Sequence, residues 1–174
     1  MVNHARRPRD FSRYFAQGRE LAVQIELELI DASSRPAVFR VAFFGADDRH
    51  LLQYPHCRGL RFYNDRGDIA AEWGTSVLIT APLDDFVLNP KSRIAFDLYA
   101  YINPDTKTAS LWNMYLPNGD YSVNYVYHVD RDTDWYDFLA KRSRFAGITT
   151  IWRGTQESNA VTITIAHGTV GTAK

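Results

Sequence analysis

The sequence predicts a mainly β domain, an antiparallel sandwich or barrel of roughly nine strands. Three observations predict it. Apolar Leu21, Val23, Ile25, Leu27 and Leu29 alternate with Ala22, Gln24, Glu26 and Glu28, the period-two pattern of a half-buried strand. Turn residues recur between short strand-forming segments along the rest of the chain. The turn Pro117-Asn118-Gly119 runs straight into a long strand with Tyr121 two residues after the glycine. That is the sequence form of a tyrosine corner, whose hydroxyl bonds back to backbone in or just before 116–119.

Each element follows from its local pattern. Residues 1–19 carry Arg6, Arg7, Arg9, Arg13 and Arg19 against Asp10 alone, and Phe11, Tyr14 and Phe15 fall at helical spacing. They read as a basic arm or short docked helix, with an Arg-rich targeting segment as the competing reading. Residues 20–167 form the β domain and 168–174 a flexible tail. Within the domain, strands are expected over 21–29, 37–44, 51–54, 60–63, 68–73 and 76–80. Residues 84–90 read as a connection between Pro82 and Pro90. Further strands are expected over 93–102 (Ile94, Phe96, Leu98 and Ala100 inward), 109–116, 121–129, 147–152 and 160–166. Residues 133–144 read as an inserted helix, with Trp135, Phe138 and Leu139 on one face and Lys141, Arg142 and Arg144 in the last turn.

Composition narrows the function classes. Lys+Arg and Asp+Glu both number 20, so net charge gives no case for a nucleic-acid or membrane partner. The single Cys57 allows no intrachain disulfide, in keeping with a reducing compartment. No apolar run approaches the ~20 residues of a membrane-spanning helix, and the N-terminus lacks a secretory apolar stretch, so a cytoplasmic location is expected. Ten Tyr, ten Phe and four Trp suit a β-rich core, or a surface on which a ligand stacks.

With these elements placed, three segments resemble immunoglobulin-like β-sandwiches. Leu88-Asn-Pro90-Lys-Ser92-Arg-Ile94-Ala-Phe96 is similar to a strand opening common in such domains. Asn118-Gly119-Asp120-Tyr121-Ser122-Val123 resembles their corner, with Val123 where antibody-type domains place their second Cys. Trp152-Arg-Gly154 followed by 158–165 is similar to the closing hairpin of bacterial Ig-like modules and of small intracellular proteinase-inhibitor domains. The resemblance implies an antiparallel Ig-like sandwich with a short N-terminal helix and one inserted helix. The chain departs from it in lacking a Cys pair, in the Gly after Trp73, and in the inserted helix.

No catalytic motif emerges. Asp130, Asp132 and Asp134 have the spacing of a calcium-loop opening, but Trp135 and Lys141 stand where that loop needs Gly and Glu. Helix capping explains the acids without an ion, although a weaker site using carbonyls stays open. His56 beside Cys57 is half of a zinc or thiol–imidazole pair at most, because adjacent residues on an extended chain face opposite ways. The expected function is therefore a non-catalytic binding module without metal or cofactor, inhibitor-like in form, for a protein partner. Trp135, Tyr136, Phe138, Arg142 and Arg144 are its anchors, since Trp, Tyr and Arg dominate interface energetics. The alternative is carbohydrate binding on Tyr99, Tyr101 and Trp112. A monomer or weak dimer is expected, because Gln24, Glu26 and Glu28 protect the first strand as an edge.

Overall fold

Period-two patterning becomes sheet structure along most of the described residues. The computed structural model describes residues 23–31, 37–71, 85–103, 113–129, 145, 147–149, 151–166 and 169–172. Twelve strands occur among them. They are β1 (Val23–Asp31), β2 (Ala37–Gly45), β3 (His50–Gln53), β4 (Leu60–Tyr63), β5 (Ile69–Ala71), β6 (Asp85–Leu88) and β7 (Arg93–Asn103), then β8 (Asn113–Tyr115), β9 (Gly119–Val129), β10 (Gly154–Glu157), β11 (Val161–Ala166) and β12 (Thr169–Thr172). The described residues contain no α-helix; their helical element is one 3-10 turn at Cys57–Gly59. Both expected helices, at 1–19 and 133–144, and the expected strand at 76–80 lie outside the described residues. No described helix is long and apolar enough to cross a membrane.

The strands form three sheets. The first has the order β1-β2-β7-β8, the second β12-β11-β9-β4-β5 with β10 also on β9, and the third pairs β3 with β6. All pairings are antiparallel except β7–β8, which is parallel. Alternation decides which side chains meet. Ile25 and Leu27 of β1, Phe39, Val41 and Phe43 of β2, and Leu98, Ala100 and Ile102 of β7 are buried. Tyr121, Val123, Tyr125, Tyr127 and Val129 of β9 are buried as well, in one core cluster with them. Phe39 meets Phe62 edge-on at 6.2 Å, and Phe43 meets Tyr125 and Tyr127 at 6.5 and 5.5 Å, so the first two sheets share one core. Each large side chain buried there contributes roughly 1.5–3 kcal/mol.

The corner forms as its sequence predicts. The Tyr121 hydroxyl donates to the Pro117 carbonyl at 2.9 Å, and the ring is buried at the start of β9. Gly119 holds φ +157°, a backbone value that L side chains rarely adopt.

A second device joins the sheets. Glu157 pairs with Val126 and Val161 with Val123, so Ser158, Asn159 and Ala160 face only Asn124 and Tyr125. Three residues opposite two make a β-bulge, which re-aims a side chain. Ser158 keeps the ladder closed: its N–H donates to the Tyr125 carbonyl at 2.9 Å and its Oγ accepts from the Tyr125 N–H at 2.8 Å. Asn159 is thereby turned toward β1, where Oδ1 accepts from the Leu27 N–H at 2.9 Å and Nδ2 donates to the Leu27 carbonyl at 3.0 Å. A side-chain amide thus occupies backbone groups on the edge of β1 that a neighbouring strand would otherwise use.

Four sequence expectations are corrected. The stretch 84–90 is not a connection, because Asp85–Leu88 is a strand paired with β3. The described residues of 147–152 do not form a strand; 147–149 lie in a turn region, and Ile151 makes a single parallel bridge to Leu51. The strand β8 runs parallel to β7, an exception to the antiparallel architecture expected. The tail expected to be loose contains β12, which pairs antiparallel with β11.

Candidate functional site

The side of the first sheet away from the core carries an uneven distribution of side chains. Burial of Leu98, Ala100 and Ile102 fixes Asp97, Tyr99 and Tyr101 on the opposite face of β7. Tyr99 is 56% exposed and Tyr101 50%. Val38 lies opposite Tyr99 on β2. On β1, Leu29 pairs with Phe39 and Asp31 with Val38, which leaves Ile30 as the extra residue of a bulge, 40% exposed. On β8, Tyr115 pairs with Asn103 and flanks buried Met114, which sets it on the same face as Tyr101. Ile30, Val38, Tyr99, Tyr101 and Tyr115 therefore form an apolar and aromatic band across four strands. At about 4.8 Å between strands, its span is about 14 Å.

A charged row borders this band. Register places Glu28 opposite Arg40 and Arg40 opposite Asp97. Arg40 grips Asp97 as a fork, with Nε to Oδ1 at 2.7 Å and Nη2 to Oδ2 at 2.9 Å. The hydrogen bond from Arg40 holds the Asp97 carboxyl below its ordinary range, and Asp97 in turn raises the Arg40 pKa. Both side chains are about a third exposed, so the pair orients the row more than it stabilises the fold. Farther along, Arg93 sits over the Phe44 ring at 5.5 Å.

The Cys57 region has a different character. Cys57 is buried in the 3-10 turn, which packs its Gly59 against the Tyr125 ring so closely that a Cβ there would overlap it. The Cys57 thiol donates to the Tyr99 carbonyl at 3.5 Å, and burial pushes its pKa up to about 11. A thiol nucleophile needs the opposite shift. His56 is exposed beside it, and its N–H donates to the Tyr125 hydroxyl at 3.2 Å. Among the described residues, no three His, Cys, Asp or Glu side chains gather as a metal site.

Two polar groups near β3 and β6 are buried without partners, Nε2 of His50 and Oδ2 of Asp85. Burial lowers the His50 pKa against an opposing pull from Asp48. Register separates the two, since His50 pairs with Leu88 and Asp85 with Gln53, so they do not make one site.

Of the residues expected to bind, Tyr99 and Tyr101 are described and lie on one exposed face. Trp112, Trp135, Tyr136, Phe138, Arg142 and Arg144 lie outside the described residues, as do Asp130, Asp132 and Asp134. Sequence reasoning missed Ile30, Val38, Arg40, Asp97 and Tyr115, whose grouping depends on cross-strand register. Comparison with family models, curated proteins and solved structures found no match for this chain.

Proposed function

We propose that the chain is a non-catalytic binding module of Ig-like sandwich form that docks a protein partner on the Ile30–Tyr101 band. One observation carries this reading. Of six exposed large hydrophobics among the described residues, three (Ile30, Tyr99 and Tyr101) fall on this end of one sheet face. An aromatic centre with a charged border is the arrangement of an interface hot spot. The sandwich form is supported by the core that the first two sheets share and by the tyrosine corner. A face built on strands is also rigid, so binding orders little that is not already ordered.

The test is a double substitution, Tyr99→Ser with Tyr101→Ser, compared with the parent for partners captured at defined stoichiometry and identified by mass spectrometry. Loss of anchors worth about 1.4 kcal/mol or more weakens binding at least about tenfold. Circular dichroism and the denaturation midpoint should stay close to the parent, because both rings are exposed. An unchanged set and affinity of captured partners would show that the band is not the interface. Carbohydrate binding is the second reading, favoured by two tyrosine rings exposed on one face of a single strand. A glycan array that responds to the parent and loses its response in the double variant would select it.

A further inference from the structure

We propose that Asn118 is a site of spontaneous deamidation in the folded chain and that its isoaspartyl product opens the tyrosine corner. Asn118-Gly119 is the only Asn-Gly step in the sequence. The reaction needs an Asn side-chain amide followed by a main-chain nitrogen free to approach it, and a following Gly offers the least hindrance. The Gly119 nitrogen attacks Cγ of Asn118 and forms a new N–C bond. The C–NH2 bond breaks, and the amine leaves as ammonia with the proton from the Gly119 N–H. Water then opens the five-membered succinimide. Opening at one carbonyl gives Asp, and at the other isoaspartate, in which the main chain passes through the former side-chain methylene. Water is the only co-reactant.

The corner presents this step to solvent. Pro117, Asn118, Gly119 and Asp120 are all exposed. Gly119 is the first residue of β9 and pairs with Ile165 at the end of that ladder, where strands fray. A methyl group placed on Gly119 would meet the Tyr121 ring and hydroxyl only in ordinary contact, 3.5 Å at the nearest, so apart from its chain neighbours no residue crowds this position.

The consequence falls on the same bond that defines the corner. The Tyr121 hydroxyl reaches over Asn118-Gly119 to the Pro117 carbonyl at 2.9 Å. Isoaspartate lengthens the main chain inside that closed loop. It also adds a carboxylate next to Asp120, whose Oδ1 accepts from the Thr164 hydroxyl at 2.6 Å. Both changes act against the corner.

The experiment incubates the full chain in mildly alkaline buffer, beside a urea-unfolded sample, and follows the peptide containing Asn118 by mass. A gain of one dalton at Asn118, with part of the product accepted by an isoaspartyl methyltransferase, is the expected result, and Asn118→Ser removes it. The modified fraction should also unfold at lower urea than the unmodified fraction. The proposal is overturned if Asn118 keeps its amide in the folded chain while the unfolded sample loses it. It is overturned equally if the modified fraction has the parent midpoint.

Discussion

Replacing Tyr121 by Phe removes one hydroxyl and leaves the ring that packs in the core. In the folded chain that hydroxyl donates to the Pro117 carbonyl at 2.9 Å from a residue only 7% exposed. A hydrogen bond of this kind contributes about 0.5–1.5 kcal/mol net, and more when its loss strands a buried partner. Pro117 is exposed, so the freed carbonyl can be hydrated and the cost stays near the middle of that range, about 1 kcal/mol. With a urea slope of about 2 kcal/mol/M for a chain of this size, the midpoint should fall by about 0.5 M. The slope itself should not change, because the surface exposed on unfolding is nearly the same. Urea unfolding followed by tryptophan fluorescence and by circular dichroism measures both quantities. Tyr101→Phe, on an exposed face, serves as the control and should match the parent. A Tyr121→Phe midpoint equal to the parent would mean that the bond adds nothing and that strand packing alone sets this turn.

Further outcomes follow from the remaining groups. Asn159→Ala strips both Leu27 backbone groups of their partners and should cost about 1–3 kcal/mol in urea unfolding; Asn159→Asp, which keeps the acceptor but loses the donor, should recover part of it. Burial holds the Cys57 thiol at about 11 and raises the Tyr125 hydroxyl above its ordinary 10.0, so the folded state keeps these protons longer than the unfolded one. Stability is then fully present below about pH 9 and lost as pH rises through 9 and beyond, which midpoints measured across alkaline pH will show. The same burial makes Cys57 slow toward a disulfide reagent until the chain unfolds. His50 has the reverse sign: its folded pKa lies below the ordinary 6.5, so stability is present above that value and falls as pH drops through the folded pKa. His50→Gln should flatten that acid limb.

Local chemistry was legible in the sequence, and long-range pairing was not. The corner could be read because its bond spans four residues, and β1, β2, β7 and β9 because each carries several periods of alternation. The strand β6 was hidden because Asp84, Asp85, Asn89 and Pro90 crowd four residues into what looks like a loop. Asp85 is nonetheless buried. The parallel direction of β8 beside β7 is a pairing that no local pattern encodes. β12 is a short edge strand near the chain end, a place where propensity carries little weight. Asn159 stands 132 residues from the strand whose edge it occupies, and a polar residue between two strands looks like any turn.

The exposed band tests how far a sequence pattern can carry a functional reading. Alternation alone put Tyr99 and Tyr101 on the outer face, and strand preference is enough to explain a tyrosine at either position. Strand preference does not explain why Ile30, Val38 and Tyr115, on three other strands, fall beside them. Leu98, Ala100 and Ile102 already fill the core on that strand, so the two rings are not needed to bury it. Tyr99→Thr with Tyr101→Thr separates the two accounts, because threonine keeps a strong strand preference and removes the rings. If the tyrosines serve only the sheet, this variant keeps both the parent midpoint and the parent's partners. If they form a recognition surface, it keeps the midpoint and loses the partner.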